Sequence, residues 1–241
     1  MNSNFRDYKA GVLAGLPIML GYISVSFGIG ILAHQAGLSA LQAAFMSGAN
    51  LTSAGEAAGI DIIASGGTLL EMAITQLVIN FRYLLMSISL SQRTDESFTT
   101  SKRIIASFGI TDEIFALLVS RNKSVTAAYM MGVITLPFIG WTGGTAIGAI
   151  AGSILPKTVS DSLGILLYGM FVAIIVPPAK DDKHIIFAVF IAAGISSLLK
   201  YLVPHLTSGF AVIIAALCAA VVAAVLFPVS ERDIEEEGGR A

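Results

Sequence analysis

Leu70-Glu71-Met72-Ala73-Ile74-Thr75-Gln76-Leu77-Val78-Ile79-Asn80-Phe81-Arg82-Tyr83 is an apolar helical stretch with an acid near its start and an arginine near its end. The next apolar segment, residues 104–120, carries Thr111-Asp112-Glu113 in its middle. A charge placed in hydrocarbon costs at least about 2.5 kcal/mol on insertion scales, so such residues face a bundle interior, pair, or handle a solute. Steps of four, three and four residues put Glu71, Thr75, Val78 and Arg82 on one stripe of a helix. Glu71 and Arg82 are then about 16 Å apart at 1.5 Å per residue and cannot pair with each other. Arg82 therefore looks to Asp112, Glu113 or Glu56 for an anion, or snorkels to the interface.

Composition fixes the surroundings. Of 241 residues, 55% are hydrophobic and 12% charged, with mean hydropathy +0.82. Soluble domains carry roughly 25% charged residues. No Lys or Arg occurs between Ala10 and Phe81, which is too long a stretch for one buried element of a water-soluble fold. The apolar runs are continuous and rich in Ala, Leu, Ile and Gly, without the ten-residue alternation of a membrane β-barrel. The expectation is an all-α, polytopic integral membrane protein with seven to eight transmembrane helices, some of them broken.

Spans are expected at about 10–33, 42–65, 68–90, 104–120, 125–153, 162–178, 184–203 and 209–228. They form one permease domain, 10–228, between a cytoplasmic tail at 1–9 and an acidic tail at 229–241. The run after Arg6 and Lys9 has no small-residue cleavage site and reads as a retained first helix. Residues 42–65 are the least hydrophobic span, with Ser47, Asn50, Thr52, Ser53, Glu56 and Asp61 among glycines. Polar groups and glycines at membrane depth mark a broken helix lining a cavity. Glycines at 140, 144, 148 and 152 form a ladder that permits close helix approach, as do Gly11 and Gly15. Trp141 and Pro137 sit beside that ladder, where the helix could unwind. The strings Leu16-Pro17-Ile18 and Leu136-Pro137-Phe138 hint that spans one and five correspond in two halves.

The positive-inside rule tests eight crossings. With a cytoplasmic N-terminus, Arg6, Lys9, Arg121, Lys123, Lys180, Lys183, Arg232 and Arg240 lie inside. Arg93, Lys102, Arg103 and Lys157 lie outside, so the basic 93–103 loop falls on the wrong face. Making part of residues 42–90 re-entrant moves that loop inside, but it reverses everything downstream and leaves the basic residues evenly divided.

Several chemistries are missing. No GxxxxGK[ST] phosphate loop, His-Glu-x-x-His helix or Gly-x-Ser-x-Gly elbow occurs. Cys218 is the lone cysteine, and His34, His184 and His205 are scattered near helix ends as interfacial side chains. No basic tract suggests nucleic acid, and neither a metal nor another cofactor is expected, nor an enzyme. What remains is movement of a solute. A zwitterionic amino acid needs an anion for its ammonium, a cation or helix N-terminus for its carboxylate, and an apolar recess. Asn50, Ser53, Glu56, Glu71, Asn80, Arg82, Asp112, Glu113 and Trp141 are the candidates for binding or coupling. The two adjacent acids point to different faces of a helix: one can pair with Arg82 while the other takes an ammonium group or a proton, so proton coupling is possible.

At Asn80-Phe81-Arg82-Tyr83-Leu84-Leu85-Met86 and Thr111-Asp112-Glu113-Ile114-Phe115 the chain resembles the AzlC family, the large subunits of branched-chain amino acid export permeases. Gly15-Leu16-Pro17-Ile18 and Ser47-Gly48 are similar too. The resemblance implies a bacterial inner-membrane exporter of valine, leucine, isoleucine or related apolar amino acids, working with a small hydrophobic membrane subunit similar to AzlD. Thr52-Ser53-Ala54-Gly55-Glu56 departs from it, because Glu56 takes the place of a Gln and adds a negative charge. Two other readings stay open: a non-transporting assembly subunit packed through its glycine ladder, and a transporter or channel for a different small solute.

Overall fold

The computed structural model describes residues 3–121, 123–156, 158–159, 162, 169, 172, 175–176, 179–180, 182–203 and 206–227. Most of the span expected at 162–178, His205 and the acidic tail lie outside them. The described chain is helical: α1 (Ser3–Gln35), α2 (Ala40–Asn50), α3 (Ser53–Ala64), α4 (Leu69–Ser91), α5 (Thr100–Phe108), α6 (Asp112–Val119), α7 (Ala127–Ile154), α8 (Lys183–Leu202) and α9 (Ser208–Leu226). Among these, five are long and apolar enough to cross a membrane: α1, α4, α7, α8 and α9.

The scaffold is the pair α1 and α7, packed parallel. Gly11 lies against Tyr129 and Gly132, Gly15 against Val133, Gly30 against Thr145 and Gly148, and Gly152 against His34. A Cβ on Gly30 would fall on the Thr145 carbonyl, and one on Gly148 on the Phe27 carbonyl. Only glycine lets the two backbones come this close, so the ladder at 140–152 is used inside the chain. Ser26 adds a hydrogen bond to the Gly140 carbonyl at 3.4 Å. We call the side where α1 and α7 begin the near face, and the side where they end the far face.

α4 crosses from far to near. Its end, Leu90, joins Phe98, Val125, Ala127 and Met130 in a near-face core, while Tyr83 lies at mid-depth, bonded to Thr52.

The segments expected as spans two and four do not cross. α2 leaves the far face, where α1 has just ended, and reaches mid-depth where Ser47 bonds Thr145 at 2.9 Å. The chain then turns at Leu51, and α3 runs back antiparallel to α4: Gly55 meets Gln76 and Asn80, and Gly59 meets Met72. The second hairpin mirrors this from the near face. Its entrance is tied down by Val125 N–H on the Arg93 carbonyl at 2.8 Å and by Ala127 N–H on the Ser97 hydroxyl at 2.8 Å. α5 climbs to Phe108, which stacks edge-on against Phe138. α6 then descends until the Val119 carbonyl accepts from Arg93 at 2.9 Å.

Length explains the outcome. Helices of 8 to 12 residues span roughly 12–18 Å, about half the 30 Å hydrocarbon core. Each is ended by a break that its sequence supplies: Thr52 and Thr111 are N-caps whose hydroxyls accept from Gly55 N–H and Ile114 N–H. Non-helical backbone at this depth is tolerated where it is buried in protein or lines a cavity.

α9 starts at the far face. Thr207 donates to the Glu71 carboxylate, and Gly209 packs on the same side chain. His184 and Phe187 at the start of α8 stack on Phe227 at the end of α9, so the last two helices are antiparallel and α8 begins at the near face.

Candidate functional site

The two hairpin tips meet at mid-depth, and between them lies a cavity of about 180 Å3 lined by Ile18, Gly21, Tyr22, Val25, Leu51, Thr52, Ser53, Tyr83, Thr111, Asp112, Glu113 and Trp141. α3 and α6 begin here, so both present helix N-termini to it.

The charged wall comes from α4 and α6. Arg82 Nη1 lies 2.7 Å from Asp112 Oδ2, and the side chains are 37% and 38% exposed. The pair is therefore part-buried and not fully sealed in the protein. Arg82 Nη2 also donates to the Tyr83 hydroxyl at 3.2 Å, which donates to Thr52 Oγ1 at 3.3 Å. The cation is thereby tied to both hairpins: to the acid of the second and to the cap of the first. Its Nε is buried without a partner among the described residues.

Glu113 points elsewhere. The Tyr22 hydroxyl lies 2.6 Å from Glu113 Oε2 and 2.6 Å from Thr111 Oγ1, and its proton goes to the carboxylate. Tyr22 in turn stands edge-on to Trp141, with ring centroids 5.1 Å apart. The neighbouring acids thus part company, one to the arginine and one to a phenol, because consecutive residues of a helix face different directions. Ile18, Val25 and Leu51 provide the apolar wall. Leu51 holds φ 41° and ψ 45°, a left-handed turn that costs a non-glycine residue about 1–2 kcal/mol.

Four of the expected residues line the cavity: Ser53, Asp112, Glu113 and Trp141. Arg82 reaches it through Asp112. Asn80 stands behind it, accepting from Thr52 at 2.9 Å and donating to Gln76 at 3.0 Å. Glu56 is fully buried behind Trp141, whose indole N–H it accepts at 2.6 Å. Asn50, the last residue of α2, does not line the cavity. Glu71 belongs to a different place: it is 1% exposed and docked on the start of α9, because the stripe it shares with Arg82 runs the length of α4 toward the far face.

Tyr22, Leu51, Tyr83 and Thr111 also line the cavity and are not among the residues expected for binding or coupling. Thr111 has a usable signal, a hydroxyl residue directly before two acids at a helix start. Tyr22 has none, since a tyrosine in an apolar run reads as core, whereas Tyr83 stands beside Arg82 in the string that resembles the family.

The AzlC protein family model matches residues 17–155, which hold both hairpins and the whole cavity lining. The chain is 27% identical over 204 residues to inner membrane protein YgaZ of Escherichia coli, covering 82% of this chain and 83% of that one. It is 30% identical over 184 residues to an uncharacterized membrane protein of Archaeoglobus fulgidus, covering 76% and 80%. It is 25% identical over 190 residues to the branched-chain amino acid transport protein AzlC of Bacillus subtilis, covering 77% and 74%. No solved structure matches it. With that family model matching more than half of its length, the chain belongs to the AzlC family of membrane proteins.

Proposed function

We propose that the protein is a secondary transporter subunit that exports valine, leucine, isoleucine or related apolar amino acids across the inner membrane of a bacterium. The observation that carries this reading is the mid-depth cavity, where opposed hairpin tips bring a cation, two acids, two helix N-termini and an apolar wall together. An amino acid carboxylate is served by Arg82 and the first backbone N–H groups of α3, an ammonium by Glu113 and Asp112, and a branched side chain by Ile18, Val25 and Leu51. The volume suits a small solute, being well below the roughly 300 Å3 at which drug-sized sites begin. Sites at mid-depth between oppositely directed repeats suit alternating access. The reading includes a small hydrophobic membrane subunit of the AzlD kind. It also disfavours the assembly role, since the glycine ladder offered for packing a partner is filled by α1.

The reading places the N-terminus in the cytoplasm. Arg6, Lys9, Arg93, Lys102, Arg103, Arg121, Lys123, Lys180 and Lys183 belong to near-face termini and loops, and Lys200 alone among the described Lys and Arg residues belongs to the far face. Such asymmetry orients the near face inward.

Counterflow of radiolabelled valine in proteoliposomes, with and without the small subunit, tests the proposal. The expected result is uptake into valine-loaded vesicles, competed by leucine and isoleucine. Absence of counterflow in both preparations, from folded protein, overturns it.

A further inference from the structure

We propose that Glu56 is a proton-binding site, separate from the solute cavity, and that Trp141 couples its occupancy to that cavity. Glu56 is fully buried, and its Oε2 has no partner among the described residues. Its Oε1 accepts from Trp141 Nε1 at 2.6 Å. No ion pair reaches it among the described residues.

The elements around it offer dipoles and no charge. α2 brings the Ser47 hydroxyl, which bonds Thr145 of α7 and also acts on Glu56, as does the backbone N–H of Thr52 at the turn. α4 brings the amides of Gln76 and Asn80, occupied by Gly55 O and Thr52. α1 brings Tyr22, edge-on to the Trp141 ring. The other ionisable groups of these elements face away: Glu71 is docked on α9, Asp61 is exposed, and Arg82, Asp112 and Glu113 are engaged across the cavity.

A carboxylate in such a cell is a buried charge met only by neutral dipoles, with its Oε2 left without a hydrogen-bond partner among the described residues, a costly arrangement. Adding a proton removes the charge and turns that oxygen into a hydroxyl. The cell therefore exchanges a proton without needing a counter-ion. That exchange is felt at Trp141. A hydrogen bond to a charged acceptor is about twice as strong as one to a neutral acceptor, so the indole is held firmly by the carboxylate and loosely by the acid. The same indole lines the cavity and braces Tyr22, which holds Glu113. Proton and solute thus act on one ring, and any coupling between them is reciprocal.

Coupling to transport rests on the function proposed above; the proton site itself does not. Trp141 is the only tryptophan in the chain, so its emission is an internal reporter of its hydrogen bond. The experiment is a fluorescence titration from pH 5 to 9 of the full chain in lipid nanodiscs, for wild type, Glu56→Gln, Glu56→Asp and Glu113→Gln. The expected result is a one-proton transition in wild type and in Glu113→Gln, a displaced midpoint in Glu56→Asp, and no transition in Glu56→Gln. Wild-type emission that stays flat overturns the proposal, as does a transition that survives Glu56→Gln or vanishes in Glu113→Gln. If Glu56→Gln does not fold, the Glu56→Asp midpoint decides, and an unmoved midpoint overturns the assignment. In proteoliposomes, a pH gradient should drive valine flux in wild type but not in Glu56→Gln. A flat titration alongside valine counterflow would overturn the proton site and leave the transport reading standing. A Glu56-dependent titration without valine flux would support the proton site and move the search to another solute.

Discussion

The hairpins α2–α3 and α5–α6 use the same backbone device toward opposite ends. Each breaks at mid-depth, each restarts behind a threonine cap, and each places an acid in the first turn of its second helix. Yet Asp112 and Glu113 line the cavity and have a cation and a phenol for partners, while Glu56 is sealed behind an indole. The surroundings explain the difference. α6 descends past Arg82 of α4 and Tyr22 of α1, whereas the start of α3 is boxed in by α2, α7 and the amide side of α4. A helix N-terminus with an acid is thus a local feature whose chemistry is decided by what packs on it.

The largest effect follows from the hairpins entering from opposite faces. In a background with Cys218 replaced by Ser, Gln35→Cys and Ser65→Cys should react with a membrane-impermeant maleimide from one face, and Glu96→Cys from the other. Eight full crossings would put positions 35 and 65 on opposite faces, so the labelling pattern is all-or-none. Next in size is the arginine that joins the two hairpins. Arg82→Ala should lower valine counterflow by about tenfold to a hundredfold, the equivalent of a charge-assisted hydrogen bond of roughly 1.5–3 kcal/mol. Because Arg82 and Asp112 are in direct contact, adding Asp112→Ala should cost much less than the sum of the single losses. Additive losses would mean that the two hairpins contribute independently.

Some of this architecture is legible in the sequence and the rest is not, for a physical reason. The glycine ladder, the buried charges and the broken helices at 42–65 are visible because glycine, charge and polarity in hydrocarbon are costly and therefore informative. Re-entrance is not visible in the same way. A hairpin of two half-length helices has the same length and hydropathy as one crossing helix, and only its neighbours distinguish them. The basic 93–103 loop was the clue. One re-entrant segment moved it inward but left the basic residues evenly divided; two, from opposite faces, return Arg121 and Lys123 to the same side as Arg6 and Arg93. Glu71 was misplaced because helical spacing gives a stripe but not the depth at which the stripe meets another helix.

Glu71 separates what anchors the first hairpin from what the hairpin does. Its carboxylate takes the hydroxyl of Thr207 and packs against Gly67 and Gly209, fastening the α3–α4 turn to α9. Glu71→Gln should destabilise the protein in detergent by about 1–3 kcal/mol, the range for disturbing a buried hydrogen-bonded group, while valine affinity stays at the wild-type value. A loss of affinity larger than the loss of thermal stability would return Glu71 to the site.

The smallest effect separates the caps. Thr52→Ala and Thr111→Ala each remove an N-cap worth about 1 kcal/mol, so the stability losses should match. Function should not match, because the threonines hold different partners. Thr52 receives Tyr83 and donates to Asn80, which keeps the first hairpin tip against α4. Thr111 sits beside the Tyr22 hydroxyl that serves Glu113. If Glu113 carries the ammonium group, Thr111→Ala should raise the half-saturation constant for valine more than Thr52→Ala does. Glu113→Gln should then make most of that difference disappear. Equal effects of the two caps in the Glu113 background and outside it would mean that the phenol and the carboxylate act separately, and the second hairpin would lose the role in recognition that sets it apart from the first.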